Sequence, residues 1–175
     1  MSIENLIKLF DVFEVAKNAH EGQKRKNGLP YITHPINVAR IVKKYGGDET
    51  LIYAALLHDV VEDTPIALEE IERKFGKEVA FLVDGVTKTE SKEETLKKVE
   101  EYSRKDKRVI LLKLSDRLHN LQRPINAEEQ KRVQDTFRRY YKESGVYIEL
   151  GRELGYNELS DEVEKARLKL VEGIK

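Results

Sequence analysis

The stretch His58-Asp59-Val60-Val61-Glu62-Asp63 sets one imidazole and three carboxylates directly after the apolar pair Leu56-Leu57. Tyr53, Ala54, Leu56 and Leu57 are apolar enough to bury the helix they form, so His58 and Asp59 emerge at its buried end. An ionised carboxylate in such a place needs a partner. A divalent cation is the simplest one, because it lets the carboxylate stay charged and the imidazole stay neutral. Two structural alternatives compete. His58 serves equally well as a hydrogen-bonded core histidine, and Asp63-Thr64-Pro65 reads as a helix start with Asp63 or Thr64 as N-cap and Pro65 at the first helical position. The stretch alone leaves the choice open.

Further ligands would have to come from elsewhere in the chain. The sequence contains no cysteine, which excludes disulfides and thiolate sites and leaves histidine, carboxylates and neutral oxygens for a hard or borderline metal. His34, just before Pro35, and Asp116 are the candidates. With His58 and Asp59 they make a mixed nitrogen and oxygen set drawn from three helices.

Helices must position these groups. Apolar residues recur from Ile3 to His20 at the spacing of one helical face. Glu21 to Pro30 then combines glycine breakers with Lys24-Arg25-Lys26, a loop carrying a cationic patch; such a run is often merely solvated. A second helix runs from Pro35 to about Tyr45, and Gly46-Gly47-Asp48 ends it and caps a third, about Glu49 to Val60. Thr64 to Phe75, Lys77 to Val86, Lys92 to Lys105 and Lys107 to Gln122 follow. In the last of these, Lys113, Asp116 and Asn120 form a polar stripe beside a leucine-rich core face. Pro124 ends it, and helices at about Ala127 to Tyr141, Tyr147 to Leu150 and Glu158 to Ile174 complete an all-α chain.

Composition bounds the function. A chain of 175 residues suits a single domain over residues 1–175. Lys plus Arg and Asp plus Glu both number 32, so no net positive field exists to hold a nucleic acid, and phosphate recognition must come from local clusters. No segment has the signature of a signal peptide or a membrane span, so the expected compartment is the cytoplasm, without a membrane partner.

Four blocks in order, His20 to Pro35, His58-Asp59-Val60-Val61-Glu62-Asp63-Thr64, Leu82 to Lys88 and Lys113 to Asn120, resemble the hydrolase domain of RelA/SpoT-type (p)ppGpp pyrophosphohydrolases, within the HD-domain metal-dependent phosphohydrolases. The resemblance covers about His20 to Gln122. It implies an HD-domain helical bundle of about eight to ten helices holding one divalent metal, usually Mn²⁺, through His34, His58, Asp59 and Asp116. It also implies that Glu62 and Asp63 are the catalytic carboxylates, and that Lys24, Arg25, Lys26 and Asn120 contact a guanine nucleotide. His20 and His119 match supporting positions.

Two departures stand out. Ser115 occupies a position where alanine is usual, and Leu121-Gln122-Arg123-Pro124 replaces a stretch of Met-Arg-Thr-Leu type. The implied reaction is metal-dependent removal of the 3′-pyrophosphate of ppGpp or pppGpp. The alternatives are an HD phosphohydrolase acting on another nucleotide, for which the altered Gln122-Arg123 region speaks, and a non-catalytic nucleotide sensor, against which the intact Glu62-Asp63 pair speaks. The oligomeric state is not readable from the sequence.

Overall fold

A computed structural model describes residues 2–122 and 134–172. Among these residues the protein is helical throughout, with no strand beyond an isolated bridge between Lys24 and Pro30. No helix among the described residues is long and apolar enough to cross a membrane. The chain divides into two compact units, residues 1–112 and 113–175.

The first unit begins with α1 (Ile3–Ala19), started by Ser2, whose hydroxyl accepts from the Asn5 N–H at 3.1 Å. Next is α2 (Thr33–Lys44), which starts two residues earlier than Pro35 would suggest. Pro35 is tolerated there because N–H groups of a first helical turn have no partner within the helix. Asp48 caps α3 (Glu49–Leu57) by accepting from the Leu51 N–H at 2.8 Å. This helix is nearly all apolar, and Leu51, Ala54, Ala55 and Leu57 are fully buried, so it forms the floor of the unit.

Instead of continuing to Val60, α3 stops at Leu57, and a separate turn, α4 (Val60–Asp63), follows. The expected helix from Thr64 to Phe75 begins only at Leu68, as α5 (Leu68–Phe75). Pro65 explains the delay. The residue before a proline is pushed out of the helical region, and Thr64 is extended, with φ −141° and ψ 166°. Asp63 and Thr64 are therefore the end of one element rather than the N-cap of the next, and the Thr64 hydroxyl donates back to the Val60 carbonyl at 2.7 Å.

Gly76, at φ 97°, separates α5 from α6 (Lys77–Val86), and Ser91 caps α7 (Lys92–Lys105). Gly85 lets α6 approach closely: a Cβ there would lie 2.8 Å from Tyr102 and 3.0 Å from Val109. Asp84 beside it takes hydrogen bonds from the Tyr102 hydroxyl and the Lys98 ammonium, and this bond to Asp84, aided by burial, pushes the Tyr102 phenol up to about 12. Arg108 opens α8 (Arg108–Leu121) and donates to Asp48 at 2.7 Å, to Glu78 at 2.6 Å and to Asp106 at 2.6 Å. One guanidinium fork thus joins the starts of α3, α6 and α8.

In the second unit the rest of α8 is followed by α9 (Gln134–Glu153) and α10 (Asn157–Glu172). The sequence predicts separate helices to Tyr141 and from Tyr147 to Leu150, but α9 runs unbroken between them, and Tyr147 to Leu150 is its interior. A Cβ at 145 would lie 2.5 Å from the end of the Arg167 side chain, which can move aside. Leu114, Leu118, Ile148, Leu159 and Val163 form the core of this unit. Arg117, almost fully buried, pairs with Glu143 at 3.4 Å and lies 5.3 Å from the Tyr147 ring. The expected helix start at Ala127 and the residues Arg123 and Pro124 lie outside the described residues.

Candidate metal centre

The break between α3 and α4 falls on the residues with chemistry. Asp59 has φ −97° and ψ −7°, the bridge region between helix and strand, where active-site residues often sit. The buried floor of α3 carries His58 to the break, and the first turn of α2 brings His34 beside it; the two histidines are 3 % and 1 % exposed. Their rings meet edge to face, with centroids 5.1 Å apart. Asp59 Oδ2 lies 3.3 Å from His34 Nε2 and 3.2 Å from His58 Nε2. Ligand atoms of all three residues fall within 4.8 Å of one another.

The hydrogen bonding of His58 states what this group can hold. His58 Nδ1 is 2.8 Å from the Ala55 carbonyl, which can only accept, so Nδ1 carries a proton, and Nε2 is the ring atom turned toward Asp59, where it offers a lone pair whenever the ring is neutral. Two lone-pair atoms at this separation require a proton or a cation near them. Fixing Nδ1–H on a carbonyl is how metal-binding histidines are held in the right tautomer, and the donor set suits a divalent ion that accepts nitrogen and oxygen. These residues fit a metal.

Around this group lies a layer in which Tyr31, Gln23 and Lys88, to which the sequence assigned no role, join His20, Glu62 and Asp63. The Tyr31 hydroxyl reaches Asp59 Oδ2 at 2.7 Å and Asp63 Oδ2 at 2.9 Å. Burial, with both carboxylates adding, pushes the Tyr31 phenol well above its ordinary value, so it is a proton donor at neutral pH. Its ring stacks on His20, whose Nδ1 is 2.9 Å from Gln23 Oε1. Gln23 in turn donates to the Asp63 carbonyl at 2.9 Å. Glu62 is held from the other side: the Lys88 main-chain N–H donates to one oxygen at 2.7 Å and its ammonium to the other at 2.6 Å. Tyr31 lies three residues before His34, and that spacing was the available signal. A tyrosine at a helix start reads by itself as packing.

The cationic loop is ordered by its own backbone. Arg25 N donates to the Leu29 carbonyl and Gly28 N to the Arg25 carbonyl, both at 2.8 Å, with Gly28 at φ 83°. Only glycine takes that conformation readily. Lys24 and Lys26 are exposed; Arg25 is partly covered and lies over the Tyr31 ring, 5.6 Å from its centroid. The loop thus leans on the residue that binds Asp59 and Asp63.

The remaining predicted residues, Asp116 and Asn120, lie on α8 in the second unit, where the Asn120 amide donates to Asp116 Oδ1 at 2.6 Å. Both are partly exposed, while Ser115 beside them in sequence is fully buried, so the alanine-to-serine departure falls on the packed face.

The chain belongs to the HD domain family, which it matches over residues 13–156. Its relatives in that family include enzymes named as GTP pyrophosphokinases, two of them from Streptomyces, as well as (p)ppGpp hydrolases, and the resemblance of the sequence blocks to RelA/SpoT-type hydrolase domains holds along most of the chain. It is 46 % identical over 132 residues to a probable guanosine-3′,5′-bis(diphosphate) 3′-pyrophosphohydrolase of Synechocystis, covering 69 % of this chain and 17 % of the relative. Identity is 39 % over 172 residues to the bifunctional (p)ppGpp synthase/hydrolase SpoT of Escherichia coli, covering 93 % of this chain and 24 % of that one. The chain therefore spans about a fifth of the length of the curated relatives it matches. Among solved structures, a metazoan ortholog of SpoT described as hydrolysing ppGpp superposes with a TM-score of 0.73 at 29 % identity, covering 93 % of this chain and 94 % of that one. A Listeria monocytogenes protein superposes with a TM-score of 0.59 at 28 % identity, over 79 % of this chain and 98 % of that one.

Proposed function

We propose that this chain is a metal-dependent 3′-pyrophosphohydrolase of guanosine polyphosphates, converting ppGpp or pppGpp and water into GDP or GTP and pyrophosphate. The observation that carries the reading is the convergence of His34, His58 and Asp59, with the His58 tautomer fixed by Ala55. The hydrolase activity named for several of the relatives, and for the metazoan ortholog of SpoT, suggests the substrate.

In this reading His34, His58, Asp59 and Asp116 hold one divalent ion, Mn²⁺ by resemblance. When bound, the ion supplies a nucleophilic water at neutral pH and offsets charge on the phosphoryl oxygens. The protein's own groups do the rest. Glu62 or Asp63 takes the proton of the attacking water, which adds at the phosphorus on the 3′ oxygen; the bond from that oxygen to phosphorus breaks, and a proton ends on the 3′ oxygen. General-base help of this kind contributes roughly 10²–10⁴-fold. Lys24, Arg25 and Lys26 bring positive charge to a substrate rich in phosphate, on a chain with no net charge of its own. Arg25, already lying over one ring, suits a stacking contact with guanine, and Asn120 a polar contact with the nucleotide.

The test is a panel of nucleotides incubated with the metal-loaded protein, reading phosphate and pyrophosphate separately. Release of pyrophosphate from ppGpp and pppGpp, abolished by chelation and restored best by Mn²⁺, is expected. Release of phosphate from a nucleoside monophosphate instead would move the chain to another HD phosphohydrolase class, and binding without turnover would make it a sensor.

A further inference from the structure

Asp59 and Asp63 stand one helical turn apart, joined by the hydrogen bond from Asp63 N to the Asp59 carbonyl at 2.9 Å, so their side chains leave α4 on one face. Two ionised carboxylates on one face repel and spread unless something between them donates to both. The Tyr31 hydroxyl is between them, at 2.7 Å and 2.9 Å. It has a single proton to share, so it acts as a tether that either carboxylate can draw on.

The tether is fixed at its other end. Tyr31 stacks on His20 with centroids 4.6 Å apart and stands edge-on to His34 at 6.0 Å. Its N–H donates to the Gln23 carbonyl at 3.0 Å, while the Gln23 side chain reaches the backbone of Asp63. The loop after α1 therefore grips the end of α4 twice, once by a side-chain amide on the main chain and once by a phenol on the carboxylates. A ring needed only for packing would require neither hydroxyl contact.

We propose that Tyr31 is a positioning residue of the hydrolase: its hydroxyl fixes the direction of the Asp63 carboxylate relative to Asp59, so that the reacting carboxylate is aimed before substrate arrives. This rests on the function proposed above, in which Asp59 holds the metal, and takes Asp63, of the Glu62 and Asp63 pair, as the carboxylate that works on the attacking water. Donors that orient a ligating carboxylate typically matter by 10–100-fold in metal affinity or activity.

Tyr31→Phe removes the hydroxyl and keeps the ring on His20. Two readouts separate positioning from packing. Calorimetric titration with Mn²⁺ alone should show affinity about tenfold weaker than wild type, and steady-state kinetics on ppGpp should show kcat about tenfold lower at unchanged KM. At saturating Mn²⁺, in an Asp63→Asn background, the further effect of Tyr31→Phe on kcat should vanish, because the reacting carboxylate is gone and the remaining contact with Asp59 is read in metal affinity. Wild-type Mn²⁺ affinity and kcat in Tyr31→Phe would overturn the proposal, as would kcat losses that multiply in the double variant. If wild type releases no pyrophosphate from ppGpp, the function reading fails by itself; the Mn²⁺ titration still reads the tether on Asp59, weakened binding in Tyr31→Phe supporting it and equal binding overturning it. Circular dichroism melts in chelator, expected to coincide, confirm that both proteins are folded.

Discussion

The α3–α4 segment and the loop between α1 and α2 carry different halves of the chemistry and are held in different ways. His58 caps a helix whose second half, Tyr53 to Leu57, is buried, and a carbonyl of that helix faces its Nδ1. Lys24, Arg25 and Lys26 sit on a turn held by backbone bonds, with little buried beneath it. A metal tolerates small errors in ligand position poorly, so its ligands belong on the least deformable element. A flexible polyanion can be met by side chains that adjust, and loops over a rigid scaffold serve for that. Binding and bond-breaking should therefore fail separately when the two regions are damaged.

The largest effect expected is at the floor. His58→Ala should abolish stoichiometric Mn²⁺ binding, measured by elemental analysis after desalting, and bring hydrolysis to background; a variant that kept its metal would remove the basis of the comparison. Next is the α4 pair, where Glu62→Gln or Asp63→Asn should leave metal and nucleotide bound while kcat falls by about 10²–10⁴-fold. Normal kcat in both would leave the pair a structural role only.

On the loop the pattern should invert. Arg25→Ala should raise KM about tenfold with less effect on kcat, since a partly covered stacking guanidinium contributes on the order of 1–2 kcal/mol. Selectivity for ppGpp over a pyrimidine analogue should fall with it, and an unchanged ratio of kcat/KM would show that the loop does not read the base. The smallest effect is expected at Lys88→Ala. Its side chain is 64 % exposed, and the main-chain N–H still binds Glu62 at 2.7 Å, so kcat at physiological salt should change by less than about fivefold. A larger loss would place that ammonium in the chemistry.

Much of this was legible in the sequence because it follows from contrast. An apolar run ending in His58-Asp59 marks a buried polar group whatever the fold, and helical spacing in α6, α7 and α8 left little choice of structure. The misreadings have local causes. Asp63 and Thr64 carry the side chains of an N-cap, but Pro65 forces Thr64 out of the helix, and Asp63 is taken by Tyr31. Tyr31 and Lys88 escaped notice because their roles lie in partners 28 and 26 residues away, and no local pattern encodes such contacts.

Gly85 bears on how far this protein could be made hardier by engineering. Exchanging a helical glycine for alanine is an ordinary stabilising step, gaining roughly 0.4–1 kcal/mol where the backbone allows it. Here the added methyl would press on Tyr102, whose hydroxyl binds the adjacent Asp84, and on Val109 at the start of α8. A library seeking thermal tolerance should leave that codon untouched and spend its diversity on the solvent-facing positions of α7.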